Sequence, residues 1–252
     1  MPAKVRLQAQ IYRYLKNHKD IIHVANSVYT AKRLGKIGVE TDYVIYPPVK
    51  AELYQSMLNK EKTNSVSLVS RLSKGKGLEE FIKTAERLQD IEFHLICFAV
   101  PSALPLAKRL RAEAPRNLHL HVNIDWKRRL KIMGTAKVFL SLGRKEHFGY
   151  SVCEATLAGC TPIVYPEGGV LEILEGLPHL TATNLEEAEE KIAEALETWS
   201  AGTAKIRSRI VADRFGHEAF PCKVCYYGVT AYKEQFLGLL SEIGNRLMKS
   251  LV

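Results

Sequence analysis

No run of apolar residues in this chain approaches the ~18 needed to span a bilayer, so the sequence offers no membrane-crossing helix. The opening residues, MPAKVRLQAQIYRYLKNHKD, lack the apolar core of a secretory signal. Cysteine is scarce and odd in number, five without regular spacing, which suits a reducing compartment better than a disulfide framework. These absences together place the expected protein in the cytoplasm. No spacing typical of a metal site occurs, and the GxxxxGK[ST] phosphate loop is missing. Internal repeats and low-complexity tracts are missing too. The one CxxC, Cys222 and Cys225, has no second pair and no redox context, and reads as two cysteines on a helix face. Cys153 and Cys160 read as small packing residues.

The 252 residues give room for one large domain, or one domain plus a fragment. Hydrophobic content of 46% and charged content of 25% are those of an ordinary globular protein. The net charge of +9 favours an anionic partner: a nucleotide, a phospholipid surface or nucleic acid. The cations are spread along the chain, with no long Lys/Arg run and no aromatic-rich RNA-binding signature. Nucleic acid is therefore not expected, and a solvated basic surface is the plainest reading.

Residues 4–19 can form a helix, with Val5, Ile11, Tyr12 and Leu15 near one face. IIHVAN (21–26) predicts a strand. Ser27 can cap a helix through SVYTAKRLGKI, and DYVIYPPVK predicts a second strand stopped by Pro47 and Pro48. Residues 51–64 are polar and read as a linker or edge. From Val66 onward strand and helix alternate regularly: VSLVS (66–70), GLEEFIKTAERLQ, EFHLICF (92–98), SALPLAKRLRAEA, LHLHV (118–122), DWKRRLKIMGTA, VFLSL (138–142). Leu78, Phe81, Ile82, Ala85 and Leu88 face inward on the first of these helices. IVY (163–165), the helix VLEILE, a short strand near HLTAT and a long helix from Leu185 follow, and 202–252 reads as helical throughout. This order predicts an α/β fold: a doubly wound parallel sheet with a helical C-terminal extension. The expected division is a fragment and linker over 1–62 and a Rossmann-like domain over 63–252. The final stretch, 232–252, groups Phe236, Leu239, Leu240, Ile243, Leu247 and Leu251 on one face. That face can pack on protein or lie on an anionic membrane; packing is the favoured expectation.

Within this alternation, RKEHFGYSVCEATLAGCTP (144–162) carries the chemistry. A strand leads into a loop with Glu146, His147, Phe148 and Gly149. A helix starts near Tyr150, carries Glu154, and ends at Gly159. Glu146 stands at the carboxyl end of a strand, where open α/β sheets bind ligands. Glu154 stands one turn into the helix, whose first amides suit an anion. Arg71 and Lys76 flank the glycine-containing loop SRLSKGKG after the first strand of the domain, where two cations can neutralise a diphosphate. His147 can serve as a base or ligand, although a loop histidine is more often solvated. Gly168 and Gly169, in PEGGVLE, can let the backbone approach a ligand or form an ordinary turn.

The stretch EHFGYSVCEATLAGCTPIV resembles the E-x7-E motif of retaining GT-B glycosyltransferases, and is closest to glycosyltransferase family 4. The gap from Gly159 to Pro162 is one residue longer than the commonest form. RLSKGKG is similar to the family's "GRL…KG" segment, with Ser70 where the family often has glycine. The resemblance covers about residues 20–225, with its specific motifs between 66 and 172. It implies the C-terminal, donor-binding domain of the fold, preceded by only the closing part of an N-terminal domain. It further implies that Arg71 and Lys76 hold a donor diphosphate, that Glu154 accepts from the nucleotide ribose, and that Glu146 lies near the transferred sugar. Backbone amides of Phe148, Gly149 and Tyr150 would touch phosphate or sugar, with Val122 and Asn123 beside the base. CFAVPSA lacks the family's glycine-rich turn, which leaves the base open.

The implied reaction moves a hexose from a nucleoside diphosphate sugar to an acceptor with retention, without metal or cofactor. The acceptor can be a glycan, a lipid or a small molecule. The alternative is a split or non-catalytic donor-binding module, whose acceptor half comes from a partner chain or a second copy. A basic nucleotide- or membrane-surface-binding protein without transferase activity is the third reading. Peripheral contact with the inner membrane face is a further expectation for a cytoplasmic protein of this charge.

Overall fold

A Val-, Leu- and Phe-rich strand that is buried on both faces belongs in the middle of a parallel sheet. Four buried runs form most of such a sheet here, and a more exposed strand completes one edge. The structure is a computed structural model that describes residues 22–177 and 180–217. Its five-stranded sheet comprises β3 (Thr63–Arg71), β4 (Glu92–Phe98), β5 (Leu118–Val122), β6 (Ala136–Ser141) and β7 (Thr161–Val164). All neighbours are parallel, in the order β5-β4-β3-β6-β7. The chain lays β3, β4 and β5 outward on one side, then crosses back to place β6 against the other edge of β3. That reversal opens a crevice at the carboxyl ends of β3 and β6.

The strands are linked by α3 (Leu78–Arg87), α4 (Leu104–Glu113), α5 (Trp126–Thr135) and α6 (Tyr150–Leu157). The short α7 (Val170–Ile173) follows β7, then α8 (Leu185–Thr198) and α9 (Ala201–Phe215). Before the sheet lie β1 (Val24–Ala25), α1 (Val28–Lys36), β2 (Tyr43–Val44) and α2 (Ala51–Gln55). Side-chain oxygens of Ser27, Asp125, Asn184 and Ser200 accept first-turn amides of α1, α5, α8 and α9, satisfying donors that a helix start leaves over. The α/β doubly wound parallel sheet expected from the sequence is therefore the fold, and α9 supplies its helical continuation to Phe215.

Several local expectations change. The two strands expected over 21–26 and 42–50 shrink to two-residue pairs: among the described residues β1 and β2 pair only with each other, and Pro47 and Pro48 lack donors. HLTAT contributes a single bridge, Val164 to Thr181. The segment expected as a polar linker contains α2, and Val49, Ala51, Tyr54 and Met57 are buried in the domain core. Residues 4–19, the apolar face of 232–252, and Cys222 and Cys225 lie outside the described residues. Cys153 and Cys160 are fully buried, as packing residues should be. Among the described residues no helix is long and apolar enough to cross a membrane.

Two loops come into backbone contact at the crevice. Gly77, left-handed with φ +72°, would place a Cβ 2.5 Å from the Gly143 nitrogen. Gly75, also left-handed at φ +77°, has nothing within 4 Å. Gly75→Ala is expected to cost about 1 kcal/mol, the left-handed penalty alone. Gly77→Ala should cost about 3 kcal/mol or more, because backbone must move as well. Urea denaturation of both variants measures the difference.

On the β4–β5 edge, His94, His119 and His121 form a cluster, with ring centroids 5.1 Å (His94–His119) and 5.6 Å (His94–His121) apart. Burial, then the His119 imidazole, holds His94 below its ordinary 6.5. Burial, then His94, Arg128, His119 and Arg111, brings His121 down to about 4. The unfolded chain thus takes up these protons first. Stability from this cluster is complete above about pH 6.5 and falls toward pH 4. Thermal melts between pH 7.5 and 4.5 should show that decline, with a shallower slope in His121→Gln.

Candidate functional site

The crevice is a cavity of about 380 Å³. β3 ends in Ser70 and Arg71 on its wall, and the loop after β3 adds Lys76. The loop after β6 adds Glu146, and the start of α6 contributes Gly149 to Val152. Lys76 Nζ donates to Glu146 Oε2 at 2.5 Å, with both side chains partly exposed. The Gly77–Gly143 contact brings these loops close enough for that pair. Arg71 lies exposed on the same wall and makes no ion pair with a described residue.

The Glu146 loop is strained and braced. Lys145 is left-handed (φ 59°), a conformation that costs a non-glycine residue about 1 kcal/mol. Glu146 forms a parallel bridge with Gly168, and the Gly169 amide donates to the Glu146 carbonyl at 2.8 Å. A Cβ on Gly168 would fall 2.6 Å from that carbonyl oxygen, and one on Gly169 2.2 Å from the His147 carbonyl oxygen. The glycine pair thus lets residues 166–172 press on the Glu146 loop; neither glycine lines the cavity.

The Phe148 ring is buried against Tyr46, Tyr150 and Phe215, which leaves its backbone at the cavity. Gly149 caps α6 at φ +106° with no side chain, and a Cβ there would meet Val170 at 2.5 Å. A helix start without a capping side chain presents amide donors to an anion.

Glu154 is already engaged. Its Oε1 accepts from the Tyr54 hydroxyl at 2.5 Å, and its Oε2 from Arg129 Nη1 at 3.0 Å, with Glu154 and Arg129 each 13% exposed. Burial, then the Glu154 carboxylate, raises the Tyr54 phenol above its usual range, so it stays a donor. A carboxylate has about four acceptor positions, and two remain for a ligand. Arg129 also lies 5.7 Å over the Phe98 ring, and both residues line the cavity.

Val122 and Asn123 stand apart from this group. Asn123, left-handed at φ 51°, exchanges two hydrogen bonds of 2.9 Å with the Ala99 backbone and pins the loop after β4. Neither residue lines the cavity. His147 is exposed, with Nδ1 3.1 Å from Thr30 Oγ1. Ser27 Oγ donates to the His147 carbonyl at 2.5 Å.

The sequence reading missed Tyr54, Arg129 and Phe98. It also missed Glu172, whose carboxylate accepts the Val28 and Tyr29 amides (2.9 and 2.7 Å) and the Tyr46 hydroxyl (2.6 Å). Burial and Glu172 push the Tyr46 phenol up to about 12. Helical phase could have singled out Arg129 among the cations of α5; Tyr54 fell in a segment read as linker. Among the described residues no group of three His, Cys, Asp or Glu is placed to hold a metal.

The crevice at the switch point of the parallel sheet thus gathers three cations, two carboxylates and a helix start without a capping side chain. The sequence profile described as glycosyl transferases group 1 matches residues 49–211, and the chain belongs to that family. It is a GT-B, Rossmann-like domain. Anabaena HepE in complex with UDP and glucose superposes with a TM-score of 0.72 at 20% identity, over 95% of this chain and 68% of HepE. HepE in complex with UDP-glucose gives 0.71 at 18% identity, over 95% and 70%. Sucrose-phosphate synthase from Thermosynechococcus elongatus gives 0.73 at 15% identity, over 96% of this chain and 63% of its own. No curated protein sequence matches significantly.

The Tyr54–Glu154–Arg129 group can be tested by stability. Arg129→Met should cost about 3 kcal/mol, because it leaves a largely buried carboxylate without its cation. Adding Glu154→Gln should recover part of that loss, and Tyr54→Phe alone should cost about 1 kcal/mol. A double-mutant cycle in urea reads all three.

Proposed function

We propose that this transferase moves a hexose from a nucleoside diphosphate sugar to an acceptor hydroxyl with retention at the anomeric carbon. The observation that carries the reading is the Lys76–Glu146 pair, set beside Arg71 and the open start of α6. Lys76 has three donor positions and spends one on Glu146. The other two, with Arg71 and the α6 amides, suit a diphosphate. As the sugar departs, negative charge grows on that diphosphate. Cations and amides fixed before the reaction stabilise it without reorganisation.

Glu146 lies beside the sugar and orients its hydroxyls, its own carboxylate steadied by Lys76. Glu154 accepts the ribose hydroxyls at its two remaining positions, with Tyr54 and Arg129 fixing its direction. Phe98 and Arg129 offer a flat, cationic face to the base. The departing phosphate, held against the same face of the sugar as the incoming hydroxyl, takes that hydroxyl's proton. This front-face route accounts for retention without a covalent intermediate. The HepE complexes, with UDP and glucose and with UDP-glucose, support a UDP-sugar donor by likeness of fold. No metal or cofactor is part of the proposal. The acceptor is a glycan, a lipid or a small molecule.

Calorimetric titration with UDP, GDP and ADP tests the donor site, with and without a chelator. One nucleotide should bind in both conditions. Lys76→Met should weaken it about 10–100-fold, the worth of a charge-assisted hydrogen bond, and leave binding of the matching nucleoside unchanged. Glu154→Gln should weaken diphosphate and nucleoside alike. No binding of any of the three by the folded protein refutes the proposal. Proton NMR of the first-formed product, by its anomeric coupling, decides retention.

A further inference from the structure

A second polar cavity lies at the opposite end of the sheet. It measures about 230 Å³ and is walled by the start of β7 and by α8 and α9. It shares no lining residue with the donor cavity. Arg207 of α9 lines it and is 6% exposed. Its Nη2 donates to Thr161 Oγ1 at 2.8 Å, a neutral oxygen. Its Nε is buried and has no acceptor among the described residues.

Arginine keeps its charge even where burial lowers its basicity, and buried charges in proteins are normally paired. This one has no carboxylate within ion-pair distance among the described residues. Glu194, the one acid on the wall, is exposed and forms no ion pair with it. Lys191 adds a second cation to the lining, and Thr203 belongs to the first turn of α9, where the helix dipole favours an anion.

We infer that this cavity binds a phosphate group, either inorganic phosphate or the phosphomonoester end of a small metabolite. The Arg207 guanidinium, on the cavity wall, would meet the phosphate as its charge partner. Arg207 is tied to β7 through Thr161, and its neighbour Ser208 donates to the Leu157 carbonyl at the end of α6 at 2.9 Å. An occupant would therefore fasten α9 to the sheet and to the helix that bears Glu154. This inference stands apart from the donor reading, because it uses none of the donor residues.

The test titrates inorganic phosphate and, separately, glycerol phosphate into Arg71→Met/Lys76→Met protein, in which the donor cations are gone. The Arg207 Nε–H resonance, assigned through its loss in Arg207→Lys, is followed by NMR. It should shift and saturate with phosphate, and the melting temperature should rise with phosphate concentration. In the same background Arg207→Met should weaken phosphate binding about tenfold or more, the loss of one strong charged contact. Saturation by glycerol phosphate as well identifies a phosphomonoester site, and saturation by phosphate alone a free-anion site. An Nε–H signal that stays fixed through the phosphate titration overturns the inference, whether or not the Met variant folds. Undiminished phosphate binding in folded Arg207→Met overturns it too.

Discussion

Everything at the crevice depends on β3 and β6 being neighbours. Parallel pairing sets these strands one ladder apart, so the loops leaving their carboxyl ends must share a narrow space. Gly77 and Gly143 meet that demand by offering no side chains where the loops touch. From this contact follow the reach of Lys76 to Glu146, the place of the α6 start, and the room left between them. A side chain at Gly77 would push apart the groups that define the site, although that glycine bears no chemistry itself.

The charges are arranged so that each carboxylate has its own cation. Glu146 is met by Lys76 and Glu154 by Arg129. Arg71 and the start of α6 are then the surplus, and the surplus is positive. Such a site suits a multiply charged anion, with both acids held in fixed directions by their partners. The strain at Lys145 and the glycine pair at 168–169 belong to the same economy of position: backbone conformations that cost energy locally hold the Glu146 loop against α7.

Much of this was legible in the sequence, for identifiable reasons. The strands of the main sheet are short, apolar and separated by amphipathic helices, so periodicity located them closely. Glu146, Glu154, Arg71 and Lys76 occur in a linear order that a βαβ unit brings together, and the structure gathers all four around one cavity. Tyr54 was hidden because a polar stretch with one short helix gives no periodic signal, and its burial is decided by distant residues such as Glu154. Arg129 was hidden among four neighbouring cations. Val122 and Asn123 came from the family resemblance; the structure ties the Asn123 side chain to the Ala99 backbone. The burial of Arg207 likewise has no local mark, because it arises where α9 crosses the start of β7.

The grip of Glu172 on the start of α1 has a mechanical consequence. Its carboxylate holds two amides and the Tyr46 hydroxyl, while Ser27 holds the carbonyl next to Glu146. Separating the β1–α1–β2 unit from the crevice would strand one anion and three donors at once. The unit therefore forms a fixed wall of the crevice, which Asn26 lines.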